Sequence, residues 1–254
     1  MKETVVLLIT GQKKRLEISS KLENIIQPLS KNYNVITVFS LSETNNFTNK
    51  HKYKNTFEYD KVDIESKFKS FSYHINDIVY PELTINNEIL SMYDKQYNGK
   101  EYTIARAYNH IRQYYTLSSS WPIVKKFKPD LLIRIRDDAK LLDSIDLNKI
   151  LQLANKDLIS SSKYPTKSII TSCHERWGGI NDQYAIILKE AIEPYLNEPF
   201  KIYNSYKTNY LGGMFSNPEQ FIGRVYLKNK IYLYFHDIKL LIVGQTEPDI
   251  CIKK

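Results

Sequence analysis

Two apolar segments near the start of the chain decide its fold. Residues 4–11 read TVVLLITG and residues 34–41 read NVITVFSL. Both are short apolar runs rich in β-branched residues, which is typical of buried strands. Between them, apolar residues recur at helical spacing over residues 14–27, and Pro28 is expected to end that helix. Strand, helix and strand within about forty residues predict a parallel βαβ unit, because parallel strands need a crossover connection.

The rest of the chain continues this alternation of strands and helices. Strands are predicted at 131–136, 168–172, 231–235 and 238–243. Helices are predicted at 63–68, 88–94, 102–127 (broken at 118–122), 148–154, 181–192 (ended by Pro194) and 217–227, where Asn217 caps the helix and Pro218 starts it. The pattern predicts one α/β domain over residues 1–254, with a mostly parallel central sheet flanked by helices.

Composition narrows the class of protein and of ligand. The 254 residues are 42% hydrophobic and 25% charged, which excludes disorder as the dominant state. A formal net charge of +8 favours anionic ligands, whether nucleotide phosphates, nucleic acid or a membrane surface. Cys173 and Cys251 form neither a disulfide framework nor a zinc site, and idle thiols in a reducing compartment are expected. No apolar run is long enough to cross a bilayer, so a cytoplasmic location is expected.

The end of the predicted strand 131–136 is the most informative segment. Arg134 and Arg136 share one face of the strand, because alternate side chains point the same way. Asp137 and Asp138 follow where the strand ends, and ligands of open α/β sheets collect beyond the carboxyl ends of strands. This acidic pair is a candidate for holding Mg²⁺ or Mn²⁺ against phosphates. The alternative is a set of Arg–Asp pairs that only lock the edge of the sheet.

A second candidate is the segment WGGINDQY at residues 177–184. Gly178 and Gly179 let the backbone approach a ligand closely, and a helix start favours anions. Asp182 is a candidate general base at that position. The alternative is that Asn181 or Asp182 only caps the predicted helix.

The end of the first strand is a third candidate. Thr10, Gly11 and Gln12 are followed by three cations, the last of which is Arg15, and this combination suits a nucleotide. Neither a Walker A spacing nor a Gly-x-Gly-x-x-Gly fingerprint is present. The alternative is a solvated helix start.

Two further residues are weaker candidates. Arg106, on the long helix 102–127, is placed to reach a diphosphate, although exposed helix charges usually do nothing specific. His236 lies between the last two predicted strands and is either a structural histidine or a contact to a metal or phosphate.

Taken in order, these motifs resemble a family of small glycosyltransferase-like proteins of large DNA viruses, algae and bacteria. That pattern has Gly-Gln and a nearby Arg, then Arg-x-Arg-Pro-Asp, then Trp-x-Gly-x-Asn-Asp-Gln-Phe/Tyr-Ala, and a late Pro-Glu. The matching residues are Gly11, Gln12, Arg15, Arg134, Arg136, Asp138, Trp177, Gly179, Asn181, Asp182, Gln183, Tyr184, Ala185, Pro218 and Glu219. The match spans most of the chain except residues 42–98, and it departs from the pattern at Asp137, where proline is usual.

The resemblance implies a GT-A fold, with a nucleotide-binding half over about residues 1–140 and an acceptor-binding half over about 141–254. Such enzymes hold a divalent metal on the nucleotide-sugar diphosphate through an Asp-x-Asp-type motif. Arg136, Asp137 and Asp138 match that motif, although arginine stands at its first acidic position. The resemblance assigns acceptor contacts to Gly178, Gly179 and Asp182, and a late metal ligand to His236.

The sequence therefore predicts transfer of a sugar from a nucleotide-diphosphate sugar, with UDP-sugar expected, to a glycan or glycoconjugate. Mn²⁺ or Mg²⁺ is expected at Asp137 and Asp138, and Asp182 is expected to deprotonate the acceptor if the enzyme inverts. Three alternatives stay open at this point: a sugar nucleotidyltransferase, a catalytically inactive glycan binder, and a basic nucleic-acid-binding protein. No recognised nucleic-acid motif stands out, so nucleic acid is not the expected partner.

Overall fold

The computed structural model describes residues 2–43, 61–100, 103–156, 167–173, 180–205 and 214–242. The strands in these residues are β1 Thr4–Gln12, β2 Asn34–Ser42, β3 Ser72–Ile78, β4 Leu131–Arg136, β5 Ala139–Leu141, β6 Ser168–Ser172, β7 Tyr184–Leu188, β8 Tyr232–His236 and β9 Leu240–Ile242. Seven of them form one sheet in the order β3-β2-β1-β4-β7-β6-β8. Within it only β7 runs antiparallel to its neighbours. The remaining strands, β5 and β9, form a separate antiparallel pair.

Helices cover both faces of the sheet. They are α1 Ser19–Lys21, α2 Gln27–Ser30, α3 Lys61–Phe68, α4 Asn87–Tyr97, α5 Thr103–Lys126, α6 Leu147–Lys156, α7 Ile192–Ser205 and α8 Pro218–Lys228. A π-helical turn, Leu22–Ile26, joins α1 to α2, and a 3-10 turn, Lys13–Arg15, follows β1. The prediction of an α/β fold with a mostly parallel sheet flanked by helices is confirmed. None of the helices in the described ranges is long and apolar enough to span a membrane.

Strand β1 shows how the sheet divides the core. Its odd-numbered residues, such as Leu7 and Ile9, pack in a cluster with the helices that follow β1. Its even-numbered residues, such as Val6 and Leu8, pack in a second cluster with α5, α7 and α8. Because side chains alternate along a strand, the polar Thr10 and Gln12 continue the second face where β1 ends. The candidate site therefore lies on the α5 side of the sheet.

The first predicted helix differs from the structure at both ends. It starts at Ser19 and runs through Pro28 to Ser30. Proline lacks the N–H that would bond the carbonyl four residues earlier. That carbonyl, on Asn24, accepts instead from the N–H of Ile145 at 2.7 Å. The N–H of Gln27, the residue before Pro28, donates to the Leu22 carbonyl and closes a π-helical turn. The helix therefore accommodates Pro28.

The structure corrects two other predictions in the first half of the chain, a helix break at 118–122 and the absence of a strand at 72–78. Helix α5 continues through Pro122 without a break, because Leu117 and Val124 on either side are both buried in the core. Strand β3 was not predicted. Its sequence, SYHINDI, mixes polar and apolar residues because it pairs only with β2, at the edge of the sheet.

The predicted helix at 181–192 is wrong. Residues 184–188 (YAIIL) form β7, which is buried between β4 and β6. A short apolar run fits a buried strand and a buried helix equally well, so periodicity does not separate them. Pro194 does not end a helix but lies in the first turn of α7, where its missing N–H has no helical partner to lose. Asp182 consequently lies in a loop before a strand, and the predicted helix start at this position does not exist.

Candidate active site

The ends of β1 and β4 are joined through the Asp137 side chain. Its Oδ2 accepts hydrogen bonds from the Gln12 backbone N–H at 2.9 Å and from Arg15 Nε at 3.0 Å. Its Oδ1 accepts from Arg15 Nη2 at 3.1 Å. Burial raises the pKa of Asp137, and the Arg15 guanidinium opposes this shift. Asp137 is therefore a fully engaged structural anchor beneath the strand ends.

Gly11 is required by this arrangement. Its φ of +143° is a conformation that L side chains rarely adopt, and a Cβ atom placed there would lie 2.1 Å from Asp137 Oδ1. The close approach of the Gly11 backbone is thus made to the Asp137 carboxylate. The sequence predicted a nucleotide contact at Gly11, and it did not indicate the packing of Gly11 against Asp137.

Asp138 is held by two arginines. Its Oδ1 accepts from Arg136 Nε at 2.9 Å, and its Oδ2 accepts from Arg136 Nη2 at 2.7 Å and from Arg15 Nη1 at 3.1 Å. Paired N–H donors of one guanidinium meeting both carboxylate oxygens form a bidentate ion pair, which is short and geometrically specific. Arg15 therefore bridges Asp137 and Asp138, and Arg136 closes the group.

A buried lysine fixes the turn that carries these aspartates. Lys21 on α1 is completely buried, and its Nζ donates to the carbonyls of Glu17, Asp137 and Ala139 at 2.6, 3.0 and 2.7 Å. Burial lowers the pKa of Lys21, and nearby Glu17 opposes this shift. Its role is to hold the backbone between β4 and β5 against α1.

Arg134 lies deeper than Arg136 on the same face of β4. It is 2% exposed, its Nε donates to Thr10 Oγ1 at 3.0 Å, and it hydrogen-bonds the hydroxyl of Tyr195. In the described part of the chain it forms no ion pair with a carboxylate. Arg134 and Thr10 therefore lie in contact with each other below the strand ends.

Asp182 lies beside Arg136, on the loop that leads into β7. Its Oδ2 accepts from Gln113 Nε2 of α5 at 3.2 Å and lies 3.6 Å from Arg136 Nη1. The loop is held by Asn181, whose Oδ1 accepts from the backbone N–H groups of Gln183 and Tyr184 at 2.8 and 3.2 Å. The alternative that Asn181 or Asp182 caps a helix is wrong, because a strand follows; Asn181 instead fixes the loop, and the Asp182 carboxylate is directed to Gln113 and Arg136.

Glu219 is a site residue that sequence reasoning about chemistry missed. It lies in the first turn of α8, which Asn217 caps as predicted by accepting from the Gln220 N–H at 2.9 Å. The Glu219 carbonyl accepts from the Ile180 N–H at 3.2 Å, which ties α8 to the Asp182 loop. Burial and the nearby Asp182 charge raise the pKa of Glu219 to about 7. The only signal in the sequence was its place in the Pro-Glu motif.

Helix α5 contributes three further residues that were not predicted, namely His110, Gln113 and Tyr114. Burial, with the nearby charge of Arg106, lowers the pKa of His110 to about 3, so this imidazole is neutral. Its Nδ1 is hydrogen-bonded to the Tyr93 hydroxyl. Burial also raises the pKa of Tyr114, whose buried hydroxyl has no hydrogen-bond partner among the described residues. Positions 106, 110, 113 and 114 share a face at helical spacing, which is the signal that could have found them.

Arg106 lies on this face of α5. Its guanidinium lies 4.7 Å from the centre of the Tyr97 ring, and its buried Nε has no hydrogen-bond partner in the described part of the chain. The charges of Arg106 and Arg136 both act on Glu219. Arg106 therefore belongs to the α5 wall of the candidate site.

The predicted metal ligands do not fit a divalent cation as they are arranged. Both oxygens of Asp137 and both oxygens of Asp138 accept from guanidinium groups. His236 ends β8, and β7 and β6 lie between β8 and β4 in the sheet. Within the described ranges, no group of three or more His, Cys, Asp or Glu residues is arranged to hold a metal. The expectation of Mn²⁺ or Mg²⁺ remains a prediction.

The remaining predicted residues fall into two groups. Trp177, Gly178 and Gly179 lie outside the described residues. Gln12 lies at the site, and its side-chain Oε1 is buried with no hydrogen-bond partner in the ranges that the structure describes.

The expectation of an idle thiol at Cys173 is wrong, because Cys173 is disulfide-bonded. Disulfide pairing depends on distances in the folded chain, which two isolated cysteines in a sequence do not reveal. Cys251 lies outside the described residues. The expected cytoplasmic location stays a prediction, and an idle thiol at Cys173 no longer supports it.

No protein-family model matches the chain, and no curated protein matches it. A cytidylyltransferase from Leptospira borgpetersenii serovar Hardjo-bovis (strain JB197) is similar in structure at 14% identity and TM-score 0.38, over 94% of this chain and 78% of that chain. A glycosyltransferase involved in the glycosylation of the major capsid of PBCV-1 is similar at 12% identity and TM-score 0.38, over 91% of this chain and 81% of that chain. At these values, neither structure supports an assignment of activity to this chain.

Proposed function

We propose that this protein is a glycosyltransferase that moves a sugar from a nucleotide-diphosphate sugar to a hydroxyl of a glycan or glycoconjugate. A UDP-sugar is the expected donor. The observation that carries the proposal is the position of Asp182, whose carboxylate lies 3.6 Å from Arg136 Nη1 at the carboxyl end of β4. A proton acceptor and a cation side by side are what displacement of a diphosphate by a hydroxyl requires.

The sheet supports the placing of the donor. Parallel strands β1, β2, β3 and β4 end at the same edge, and ligand sites of open α/β sheets lie beyond such edges. Arg15 and Arg136 lie at this edge beside Thr10 and Gln12. We therefore place the donor's diphosphate next to these arginines and its reacting sugar carbon towards Asp182.

The reaction then follows as a single displacement if the enzyme inverts. The acceptor oxygen forms a bond to the anomeric carbon, and the bond from that carbon to the phosphate oxygen breaks. The electron pair leaves with the nucleoside diphosphate, and its charge develops beside the arginines. The acceptor's proton passes to the Asp182 carboxylate, which Gln113 and Arg136 orient. Such general-base assistance contributes on the order of 10²–10⁴-fold in rate.

Glu219 supports this assignment of roles between two carboxylates. Because its pKa is raised to about 7, Glu219 is about half protonated at neutral pH and increasingly protonated below it. A carboxyl group with a raised pKa is typical of acid–base sites. Asp182 is the proposed base because its carboxylate lies 3.6 Å from Arg136 Nη1 and accepts from Gln113.

Thermal unfolding with a panel of nucleotides tests the proposal. The full chain is heated with UDP, GDP, CDP, ADP or dTDP, and separately with the corresponding monophosphates and triphosphates. A ligand at about 100 times its Kd stabilises a protein by about 2.7 kcal/mol, which is several degrees for a chain of this size. We expect one diphosphate to raise the melting temperature by that amount. Stabilisation by a triphosphate alone would favour a nucleotidyltransferase, and no shift with any nucleotide would contradict the proposal.

A further inference from the structure

The edge of the sheet where the donor is placed presents guanidinium groups and hides carboxylates. The side chains of Asp137 and Asp138 are both 0% exposed, whereas those of Arg15 and Arg136 are 16% and 22% exposed. A ligand that approaches the ends of β1 and β4 thus meets arginine nitrogens. Acidic residues in sequence at a strand end are a metal-binding signal only if their oxygens face the ligand.

The arginines are also held rigidly. Arg136 engages Asp138 through Nε and Nη2, so that Nη1 is the nitrogen directed to Asp182, at a distance longer than a hydrogen bond. Arg15 engages both aspartates and so has a single fixed orientation. Guanidinium groups whose geometry is fixed before the ligand arrives lose little freedom on binding an anion.

The charge of the site favours an anion. Among the described residues of the site, four arginines (Arg15, Arg106, Arg134 and Arg136) stand against three aspartates (Asp137, Asp138 and Asp182) and Glu219, whose pKa is raised to about 7. Only seven arginines occur in a chain whose basic residues are mostly lysine, so more than half of them are at this site. Arginine, unlike lysine, meets two phosphate oxygens at once.

We infer that fixed arginine–aspartate pairs, Arg15 with Asp137 and Arg136 with Asp138, take the place of a divalent cation in binding and neutralising the diphosphate of the donor. This inference rests on the proposed function, and it departs from the metal that the sequence leads one to expect. When the bond between sugar and phosphate breaks, the electron pair stays on the leaving diphosphate oxygen. The guanidinium of Arg136 stabilises that charge, while the acceptor's proton passes to Asp182. No further reactant is needed for this step to balance.

Isothermal titration calorimetry of the full chain tests this inference. The probes are inorganic pyrophosphate and UDP (or the diphosphate that stabilises best), each titrated in EDTA, in Mg²⁺ and in Mn²⁺. We expect the Kd for the protein to differ by less than threefold among the three conditions, once binding of metal to the free probe is accounted for. Binding that appears only with Mg²⁺ or Mn²⁺ would overturn the inference and leave the proposed function standing.

Variants sharpen the test, because the two accounts make opposite predictions for Arg136→Gln. If the arginines bind the diphosphate, this variant binds UDP and pyrophosphate about tenfold to a hundredfold more weakly, and Mn²⁺ does not restore binding. If a metal binds the diphosphate, removing Arg136 takes one arginine away from Asp138 and leaves Mn²⁺-dependent binding intact or tighter, which would overturn the inference. Arg224→Gln, which removes an exposed arginine on α8, is the matched control and should bind like the unmodified protein.

A second variant guards against simple misfolding. Arg136→Gln leaves Asp138 with one fewer partner, so the double variant Arg136→Gln/Asp138→Asn is measured beside it. If the double variant unfolds with the cooperativity of the unmodified protein but binds pyrophosphate at least tenfold more weakly in EDTA, the inference stands. If it binds pyrophosphate in EDTA as well as the unmodified protein does, the inference is wrong. If neither probe binds the unmodified protein under any condition, both the inference and the proposed function fail.

Discussion

Asp182 is the side chain on which the proposed chemistry depends. Replacing it with asparagine keeps the hydrogen bond from Gln113 possible but removes the proton acceptor. We expect kcat to fall by about 10²–10⁴-fold while the Kd for the donor nucleotide changes little. Steady-state kinetics and calorimetry on Asp182→Asn measure the two effects separately. Asp143→Asn, which changes an exposed aspartate, is the control, and turnover retained by Asp182→Asn would remove Asp182 from the mechanism.

Glu219 makes a prediction about stability and pH. Its pKa is about 7 in the folded protein and near the ordinary, lower value when unfolded, so the folded state binds more protons between these values. Its contribution to stability is therefore full at low pH and is lost as pH rises through about 7. Relative to Glu219→Gln, the unmodified protein should lose on the order of 2 kcal/mol between pH 5 and pH 8.

Urea unfolding at both pH values measures this difference. Glu190→Gln, a change at an exposed glutamate, should show no such change with pH relative to the unmodified protein. A constant difference between Glu219→Gln and the unmodified protein at pH 5 and pH 8 would show that the pKa of Glu219 is not raised.

For single residues, the sequence predicted which side chains lie at the strand ends better than it predicted which atoms those side chains contact. Arg15, Asp137 and Asp138 were correctly placed at the strand ends, because the strands themselves were predictable. The pairing of both aspartates with arginines was only one of two alternatives, since spacing does not say which oxygen meets which donor. His110 and Tyr114 were missed because buried polar residues on a helix look like core positions in a sequence.

The end of β1 is sensitive to a single added methyl group at Gly11. Gly11→Ala places a Cβ 2.1 Å from Asp137 Oδ1 at a φ of +143°. We expect a loss of about 3 kcal/mol in the free energy of unfolding, from overpacking and backbone strain together. Gly99→Ala is the matched control, since Gly99 has a φ of +63° with no atom within 4 Å of the added Cβ. The expected cost of Gly99→Ala is backbone strain alone, about 1–2 kcal/mol. Equal losses in the two variants would contradict the close contact between Gly11 and Asp137.

The turn between β4 and β5 depends on Lys21 in the same way. Lys21→Met removes the Nζ donor from the carbonyl oxygens of Glu17, Asp137 and Ala139, of which Asp137 keeps the bond from the Glu17 N–H. Unsatisfied buried acceptors cost about 1–3 kcal/mol each, and some relaxation is expected, so we predict a total loss of about 2–4 kcal/mol. Chemical denaturation measures it against Lys201→Met, whose side chain is 73% exposed and which should change stability by less than about 0.5 kcal/mol. A similarly small effect for Lys21→Met would contradict the role of Lys21.

Elements were predictable where burial and periodicity agreed. Strands β1, β2 and β4 are apolar runs bounded by polar residues, and all three were predicted within two residues of their ends. Strand β3 failed because an edge strand carries a mixed sequence, and β7 failed because its apolar run also fits a helix. The error at β7 mattered most, because it placed Asp182 at a helix start instead of in a loop.

On the scale of the whole molecule, the site is assembled from distant parts of the chain. β1, β4, α5, the loop before β7 and the start of α8 each supply a polar side chain. A sequence indicates such residues singly, and only the order of strands in the sheet brings them to one edge. The division into a nucleotide-binding half and an acceptor-binding half stays a prediction, and the acceptor side rests partly on Gly178 and Gly179.

Phosphorus-31 NMR of a reaction mixture tests the proposed sugar transfer most directly. The full chain is incubated with the nucleotide-diphosphate sugar whose nucleotide stabilises it best, together with a mixture of glycan acceptors. We expect the two coupled signals of the donor to be replaced by those of a nucleoside diphosphate. The Asp182→Asn variant should convert the donor at least a hundredfold more slowly. Formation of inorganic pyrophosphate from a nucleoside triphosphate and a sugar phosphate, with no reaction of any nucleotide-diphosphate sugar, would contradict it.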